Sequence, residues 1–294
     1  MKKSNRRSAL KNIVGTATVL GGTIGLGDVF AANNQLLGPQ LNGKINHSVC
    51  RWCYKDIEFE TLCKEAVKIG LKSIELTGPE EWPILKKYGL TSAMPWGAGK
   101  GIVEGFNNPA LHDELVASYE EIFPKLKAAG LDKVICFSGN RKGMSSEQGL
   151  ANCATGLKRL MPSAEKYGIT MVMELLNSKV NHADYMCDTT PWGAALCDAV
   201  GSEHFKLLYD IYHMQIMEGD VIATIRKYNK YIAHYHTGGV PGRNEIDDTQ
   251  ELNYPAIMKA IVDTGYKGYV GQEFIPKRDA ITSLQQGVQI CDVA

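Results

Sequence analysis

One supersecondary unit recurs along most of this chain: an amphipathic helix, then a glycine, then a short apolar run. Examples are LCKEAVKIG followed by LKSIEL, and KLKAAG followed by LDKVICF. Each glycine stands where a helix is expected to end, because the missing side chain permits a left-handed helix C-cap. These glycines are Gly70, Gly89, Gly130, Gly168, Gly201 and Gly265. The apolar, β-branched run after each glycine predicts a strand that is buried on both faces.

Eight apolar runs are predicted as strands, near residues 45–50, 72–76, 91–95, 133–138, 169–174, 205–210, 232–236 and 269–273. Strands that alternate with helices form a parallel sheet, and eight such units match a closed (β/α)8 barrel. An open doubly wound sheet would have a glycine-rich phosphate turn after its first strand, but SVCRW stands there. We therefore predict one α/β barrel domain over residues 44–294.

The overall composition is that of a globular protein. The 294 residues include 44% hydrophobic residues, and 32 Lys and Arg balance 32 Asp and Glu. These values exclude a disordered chain, a collagen and a coiled coil. Since the net charge is zero, a generally basic nucleic-acid-binding protein is excluded as well, and no nucleic-acid partner is predicted.

The first 31 residues differ from the rest and are predicted to be an export signal. Residues 2–7 are cationic, residues 13–26 are apolar and uncharged, and small residues follow that suit cleavage. Residues 5–11, NRRSALK, resemble a twin-arginine signal, the alternative being an ordinary secretory signal. We therefore expect the twin-arginine machinery to export the chain to the periplasm, either cut from its signal or anchored by it. Residues 32–43 form a polar lead-in.

The predicted export signal over residues 1–31 also explains why the net charge of the whole chain is zero. It carries a net charge of +4, which leaves −4 on the remaining residues.

Eight cysteines are spread over the rest of the chain, and Cys50 and Cys53 form a CxxC pair. A zinc site would need a second pair, so we expect mostly buried free thiols.

Four consecutive predicted strands, the fifth to the eighth, end in residues that can bind a metal. These residues are Glu174, Asp210, His236 and Glu273. The carboxyl ends of barrel strands lie on one rim, where the chemistry of such barrels takes place. Three carboxylates buried together would repel one another and lose hydration, and a divalent cation would compensate for both effects. The alternative is four separate rim residues, each in its own salt bridge.

The donor set indicates which metals would suit this rim. Three carboxylates and one imidazole make an oxygen-rich site with one nitrogen, which favours Mn²⁺ or Mg²⁺ and leaves Co²⁺ or Zn²⁺ open. His234 points to the same side as His236, because side chains alternate along a strand, and is expected to be a deeper neighbour. Glu75 ends the second predicted strand and is expected to orient another side chain.

Further polar residues near the rim are candidates for contact with a substrate. His213 lies three residues after Asp210, where it either contacts substrate or caps the turn. Arg243 and Glu245 lie in the PGRNE loop after the seventh predicted strand. A guanidinium suits an anionic or hydroxyl-rich substrate end, the alternative being a surface loop charge.

Five sequence blocks carry a family resemblance: ELLN, LLYDIYHMQ, HYHTGGVPGRNE, ELNYPAI and GYVGQEF. Over about residues 44–280 the chain resembles the xylose-isomerase-like barrels, and within them the hydroxypyruvate isomerase group. The resemblance implies the same four metal ligands, with Glu174 and Glu273 as the catalytic acid–base pair. It also implies that His182 lies near the substrate. Some members of that group have Gln where this chain has His236, which leaves the substrate open.

The reaction implied by the resemblance moves a proton between adjacent carbons of a small hydroxy-carbonyl compound through an enediolate. Hydroxypyruvate, converted to tartronate semialdehyde, is the expected substrate. A ketose 3-epimerase and a keto-sugar or inosose isomerase are alternatives on the same site, and a non-catalytic carbohydrate-binding barrel is an alternative of another class. Endonuclease IV-like repair enzymes share the barrel but need more zinc ligands and a basic groove. A homo-oligomer is compatible with the family.

Overall fold

The computed structural model describes residues 41–293, and seven regular strands lie in this part of the chain. They are β1 Asn46–Cys50, β2 Ser73–Glu75, β3 Lys133–Cys136, β4 Thr170–Glu174, β5 Phe205–Asp210, β6 Ile232–Thr237 and β7 Tyr269–Gln272. All neighbouring strands are parallel, in the order β2-β1-β7-β6-β5-β4-β3. This order confirms the predicted barrel-like α/β fold.

The predicted strand at 91–95 closes the ring without forming a regular strand. Thr91 makes a parallel bridge to Ser73 of β2, and Leu76 N donates to Met94 O at 2.8 Å. On the other side, Ile135 N of β3 donates to Pro95 O at 3.1 Å. The segment is irregular because Pro95 has no N–H and because Ala93 N donates to the side chain of Ser73 instead of a backbone carbonyl. The prediction of a regular strand here is therefore wrong, although the segment takes the eighth position.

Ten α-helices follow or connect the strands in residues 41–293. They are α1 Phe59–Ile69, α2 Trp82–Lys87, α3 His112–Ala129, α4 Ser146–Lys158, α5 Met161–Tyr167, α6 Thr190–Val200, α7 Ile211–Met217, α8 Val221–Tyr228, α9 Tyr254–Asp263 and α10 Ala280–Cys291. In α1 the buried residues recur at helical spacing, Leu62, Ala66 and Ile69, which places one face against the sheet. All six predicted C-cap glycines have positive φ, as expected for left-handed helix ends.

The apolar core has two parts, and the smaller one positions the functional residues. The larger part lies between the helices and the outer sheet face, whereas Met94, Ile135, Val172 and Leu208 form a small cluster inside the barrel. Residues two positions further along a strand point the same way. Glu174 therefore follows Val172 on the inner face, and Asp210 follows Leu208.

Three further predictions from the sequence concern the export signal, its use as a membrane anchor and the cysteines. The predicted signal over 1–31 and most of the lead-in lie outside the described residues, so export and the periplasmic location stay predictions. Among residues 41–293 no helix is long and apolar enough to cross a membrane. All eight cysteines are free thiols, seven of them buried.

Candidate metal centre and active site

The four residues predicted at the rim converge inside the barrel mouth. One side-chain donor atom of each of Glu174, Asp210, His236 and Glu273 lies within 4.8 Å of the others. Glu174 and Asp210 are the last residues of β4 and β5, His236 is the second-last residue of β6, and Glu273 follows β7. All four side chains are buried, with exposed fractions between 0% and 5%. The register of four neighbouring strands thus produces one cluster.

The cluster contains buried polar atoms that no other group satisfies. His236 Nδ1 lies 2.6 Å from Glu273 Oε2 and 3.5 Å from Glu174 Oε1. Although these atoms lie close together, neither His236 Nδ1 nor Glu174 Oε1 forms a hydrogen bond within the described part of the chain. Buried polar atoms left without partners are costly, and imidazole and carboxylate atoms at these distances are suitable ligands for a divalent cation. The residues present therefore fit a metal ion.

Arg243 supplies positive charge to the same cluster. Its Nη2 donates to Asp210 Oδ2 at 2.8 Å and to Glu273 Oε2 at 2.6 Å. Its guanidinium lies between two aromatic rings, with centroid distances of 5.4 Å to Trp52 and 5.3 Å to Tyr212. Arg243 is therefore not a surface loop charge. It balances two of the three carboxylates directly.

The three carboxyl groups differ in their protonation. Burial raises the pKa of Glu174 above its ordinary value and raises the pKa of Asp210 to about 7. Burial also acts to raise the pKa of Glu273, but Arg243 and His236 outweigh it and hold this pKa well below its usual range. Without a cation, the cluster thus holds one firmly ionised carboxylate and two that retain protons more readily.

Trp52 completes the surroundings of Glu273, and the strand-end pattern does not predict it. It lies in the short 3-10 turn Arg51–Tyr54 that follows β1, and its Nε1 donates to Glu273 Oε1 at 2.7 Å. With Arg243 on the other oxygen, both oxygens of Glu273 are held. The available sequence signal is an aromatic residue with an N–H directly after a barrel strand, at the rim.

His213 lies beneath the site, fully buried at the start of α7. Its backbone N donates to Asp210 Oδ1 at 3.1 Å, so Asp210 caps this helix as well as joining the cluster. Its ring is positioned by Asn177, whose backbone N lies 3.2 Å from His213 Nδ1. His213 Nε2 lies 3.6 Å from Asp210 Oδ2. Burial lowers the pKa of His213 well below its usual value, so the ring is neutral.

A cavity of about 740 Å³ opens over the carboxylates. Its polar lining includes Glu174, His182, Arg243 and Glu273, and its apolar lining includes Trp52, Trp96 and Phe137. The cavity therefore gives a bound molecule direct access to both glutamates of the cluster. Asp210, His236 and His213 lie below its surface.

Glu245, also predicted to contact substrate, is not part of the cavity lining. Its Oε1 accepts hydrogen bonds from the backbone N of Lys277 and Arg278, at 2.9 and 3.0 Å, and from Ser283 Oγ at 3.0 Å. These contacts tie the loop after β6 to the start of α10. We therefore assign Glu245 to the support of the loop that carries Arg243.

Glu75 and His234 lie on the opposite side of His236 from the cavity, inside the barrel. Glu75 Oε1 is 2.7 Å from His234 Nε2 and 2.6 Å from His236 Nε2. All three side chains are fully buried. They form a layer beneath the four candidate metal ligands.

Known proteins are similar to this chain in sequence and in fold. A human protein named putative hydroxypyruvate isomerase is 35% identical over 113 residues, which is 38% of this chain and 41% of that protein. The chain thus spans less than half of that relative. The hydroxypyruvate isomerase of Escherichia coli (strain K12) is 28% identical over 255 residues, which covers 81% of this chain and 95% of that protein.

A solved structure shows the same fold. The crystal structure of AP endonuclease, family 2, from Brucella melitensis matches with a TM-score of 0.74 and 21% identity, over 82% of this chain and 97% of that chain. At this identity the match is evidence for the fold alone. The family model described as xylose isomerase-like TIM barrel matches residues 63–291. Since this match covers most of the chain, the protein belongs to the xylose isomerase-like TIM barrel family.

Proposed function

We propose that this protein is a metal-dependent isomerase that moves a proton between adjacent carbons of a hydroxy-carbonyl compound. The observation that carries the proposal is the pair Glu174 and Glu273. Both carboxylates line one cavity and both belong to the cluster that fits a cation. A protein that only binds carbohydrate needs no such acid–base pair. The names of the human and Escherichia coli relatives point in the same direction.

Glu174, Asp210, His236 and Glu273 would hold the metal, which we propose to be Mn²⁺ or Mg²⁺. When bound, a divalent cation supplies Lewis-acid stabilisation to the negative charge that develops on substrate oxygens. This chemistry suits an enediolate, whose charge is spread over two neighbouring oxygens.

Glu174 and Glu273 carry out the proton transfers. A carboxylate within hydrogen-bond reach of the substrate carbon takes the proton, and an acid of the same pair returns a proton to the neighbouring carbon. Glu174 Oε1 has no hydrogen-bond partner among the described residues, so it is free to accept or donate. Glu273 is held by Trp52 and Arg243, which position its carboxylate and keep it ionised.

Hydroxypyruvate, with tartronate semialdehyde as product, is the first substrate that we propose. A second candidate is the 3-epimerisation of a ketose or the isomerisation of a keto-sugar or inosose. The cavity of about 740 Å³ favours this second candidate, because cavities of this size accommodate molecules much larger than a three-carbon acid. The aromatic side chains of Trp52 and Trp96 in its lining are suited to a sugar face.

Proton exchange at carbon tests the proposal. The protein loaded with Mn²⁺ is incubated in heavy water with hydroxypyruvate, ketohexoses and inososes, and deuterium incorporation is followed by NMR. We expect exchange with at least one of them, and its loss in Glu174→Gln and in Glu273→Gln. Glu120→Gln, at an exposed position of α3, is the matched control and should retain activity.

The outcomes separate the classes of function. Full exchange activity in either cavity variant would contradict the assigned acid–base pair. If no substrate exchanges although one of them binds, the protein is a carbohydrate-binding barrel and the proposed isomerase activity is wrong.

A further inference from the structure

A carboxylate lies deep inside the barrel, beneath the metal ligands, and the proposed proton transfer does not use it. Glu75 is the last residue of β2 and is fully buried. Burying a carboxylate is costly, and interior barrel positions are usually filled by branched apolar side chains. A residue of this kind is tolerated only where specific partners compensate for its lost hydration.

The partners of Glu75 are two imidazoles of β6. Its Oε1 lies 2.7 Å from His234 Nε2 and 2.6 Å from His236 Nε2. Because a carboxylate oxygen accepts hydrogen bonds, both ring nitrogens act as donors. One oxygen thus receives two N–H groups from residues two positions apart on one strand.

These hydrogen bonds decide which nitrogen of His236 faces the metal ligands. With Nε2 donating to Glu75, the remaining nitrogen, Nδ1, points to the cluster, 2.6 Å from Glu273 Oε2 and 3.5 Å from Glu174 Oε1. His236 Nδ1 has no hydrogen-bond partner within residues 41–293. A ring rotated by half a turn would lose its contact with Glu75.

The chain leaves space for this arrangement on a third strand. Gly271 of β7 is paired with His236 of β6, and an added Cβ at Gly271 would overlap Glu75 Oε1 and lie 3.0 Å from His236 Cδ2. Cys50 flanks the same groups, with its Sγ 3.7 Å from Glu75 Oε1 and 3.6 Å from His236 Nε2. The pocket for the carboxylate is therefore formed by several strands and closed around it.

We propose that Glu75 is a positioning residue that selects Nδ1 of His236 as the metal-binding nitrogen and holds the ring at the cluster. His234 donates the second N–H to the same oxygen and keeps Glu75 from turning away. The inference rests on the metal site of the proposed function but not on its substrate. Carboxylates that orient metal-binding imidazoles act in this way in general.

The first test identifies the bound nitrogen without any activity measurement. The full chain with ¹⁵N-labelled histidine is loaded with Zn²⁺, a diamagnetic probe, and long-range ¹H–¹⁵N NMR spectra are recorded. We expect His236 to bind Zn²⁺ through Nδ1 and to carry its proton on Nε2. Binding through Nε2, or the absence of Zn²⁺ binding at this histidine, would overturn the inference.

The second test removes both acceptor contacts. Glu75→Leu nearly keeps the size of the side chain, but it has no atom that accepts a hydrogen bond from either imidazole. We expect its affinity for Mn²⁺ and Zn²⁺, measured by calorimetry, to fall by about 10- to 100-fold. Glu120→Gln should bind as the unsubstituted protein does. An unchanged affinity in Glu75→Leu would contradict the positioning role, and should this variant not fold, the NMR experiment on the unsubstituted protein still decides.

The two proposals fail in different ways. Binding through Nδ1 without any substrate exchange would leave the role of Glu75 standing and remove the isomerase. Exchange activity together with binding through Nε2 would leave the isomerase standing and contradict the role of Glu75.

Discussion

Substitution of Gly271 by alanine should destabilise the barrel because of one contact. Gly271 lies in β7, and its φ is not in the left-handed region, so alanine causes no backbone strain there. The added methyl group would overlap Glu75 Oε1 and lie 2.9 Å from Glu75 Cδ and 3.0 Å from His236 Cδ2. Ordinary carbon contacts begin near 3.4 Å. Either the carboxylate or the strand must therefore move.

Both ways of relieving the overlap are costly. Inserting a methyl group into a closely packed interior costs about 1–3 kcal/mol. Moving Glu75 instead weakens two hydrogen bonds to a buried charged group, each contributing about 1.5–3 kcal/mol. We therefore expect the free energy of unfolding to fall by about 2 kcal/mol or slightly more. At about 2–4 °C per kcal/mol, the Tm of the metal-free protein should drop by about 4–8 °C.

A double-mutant cycle isolates the contact. Urea unfolding followed by circular dichroism compares Gly271→Ala in the unsubstituted protein and in Glu75→Ala, where the overlapping oxygen is gone. In the second background we expect the same substitution to cost less than about 1 kcal/mol. An equal cost in both backgrounds would contradict this prediction, because a contact other than the one with Glu75 would then account for the loss of stability. A loss below about 0.5 kcal/mol in the unsubstituted protein would refute it too.

Three further predictions concern residues of the candidate site and of the loop that supports it. Trp52→Phe keeps an aromatic ring but removes the N–H that donates to Glu273. We expect kcat for proton exchange to fall about tenfold, or about 1.4 kcal/mol, with a smaller change in Mn²⁺ affinity. An unchanged kcat would contradict this prediction. Because burial raises the pKa of Asp210 to about 7, a proton competes with the cation, so Mn²⁺ affinity measured by calorimetry should fall as the pH drops below about 7. A pH-independent affinity would argue against this carboxylate as a ligand. Glu245→Gln should lower the Tm and leave the KM for substrate unchanged, whereas a raised KM at unchanged Tm would restore Glu245 as a substrate contact.

The repeated unit carries most of the fold in local signals. Glycine C-caps and apolar runs depend on residues near in sequence, and seven of the eight predicted strands are present as regular strands in the structure. The segment at 91–95 departs from the pattern for reasons that sequence periodicity does not register. It is irregular because Pro95 has no N–H and because Ala93 N donates to the side chain of Ser73 on a neighbouring strand.

In the candidate site too, some residues are predictable from the strand pattern and others are not. Strand ends and side-chain alternation predict that Glu174, Asp210, His236 and Glu273 share a rim, because parallel strands end at one edge. The pattern does not predict the direction of loop side chains such as Glu245, since a loop returns to the barrel along a path that only packing determines.

The barrel and the four donor residues are thus predictable from the sequence, because both follow from periodicity along single strands. The groups that surround those donors depend on the tertiary structure. The contacts of Trp52 with Glu273 and of Glu75 with two imidazoles join residues more than 150 positions apart. Such contacts depend on how strands are staggered around a closed ring and on where Gly271 leaves space, and no local pattern encodes either.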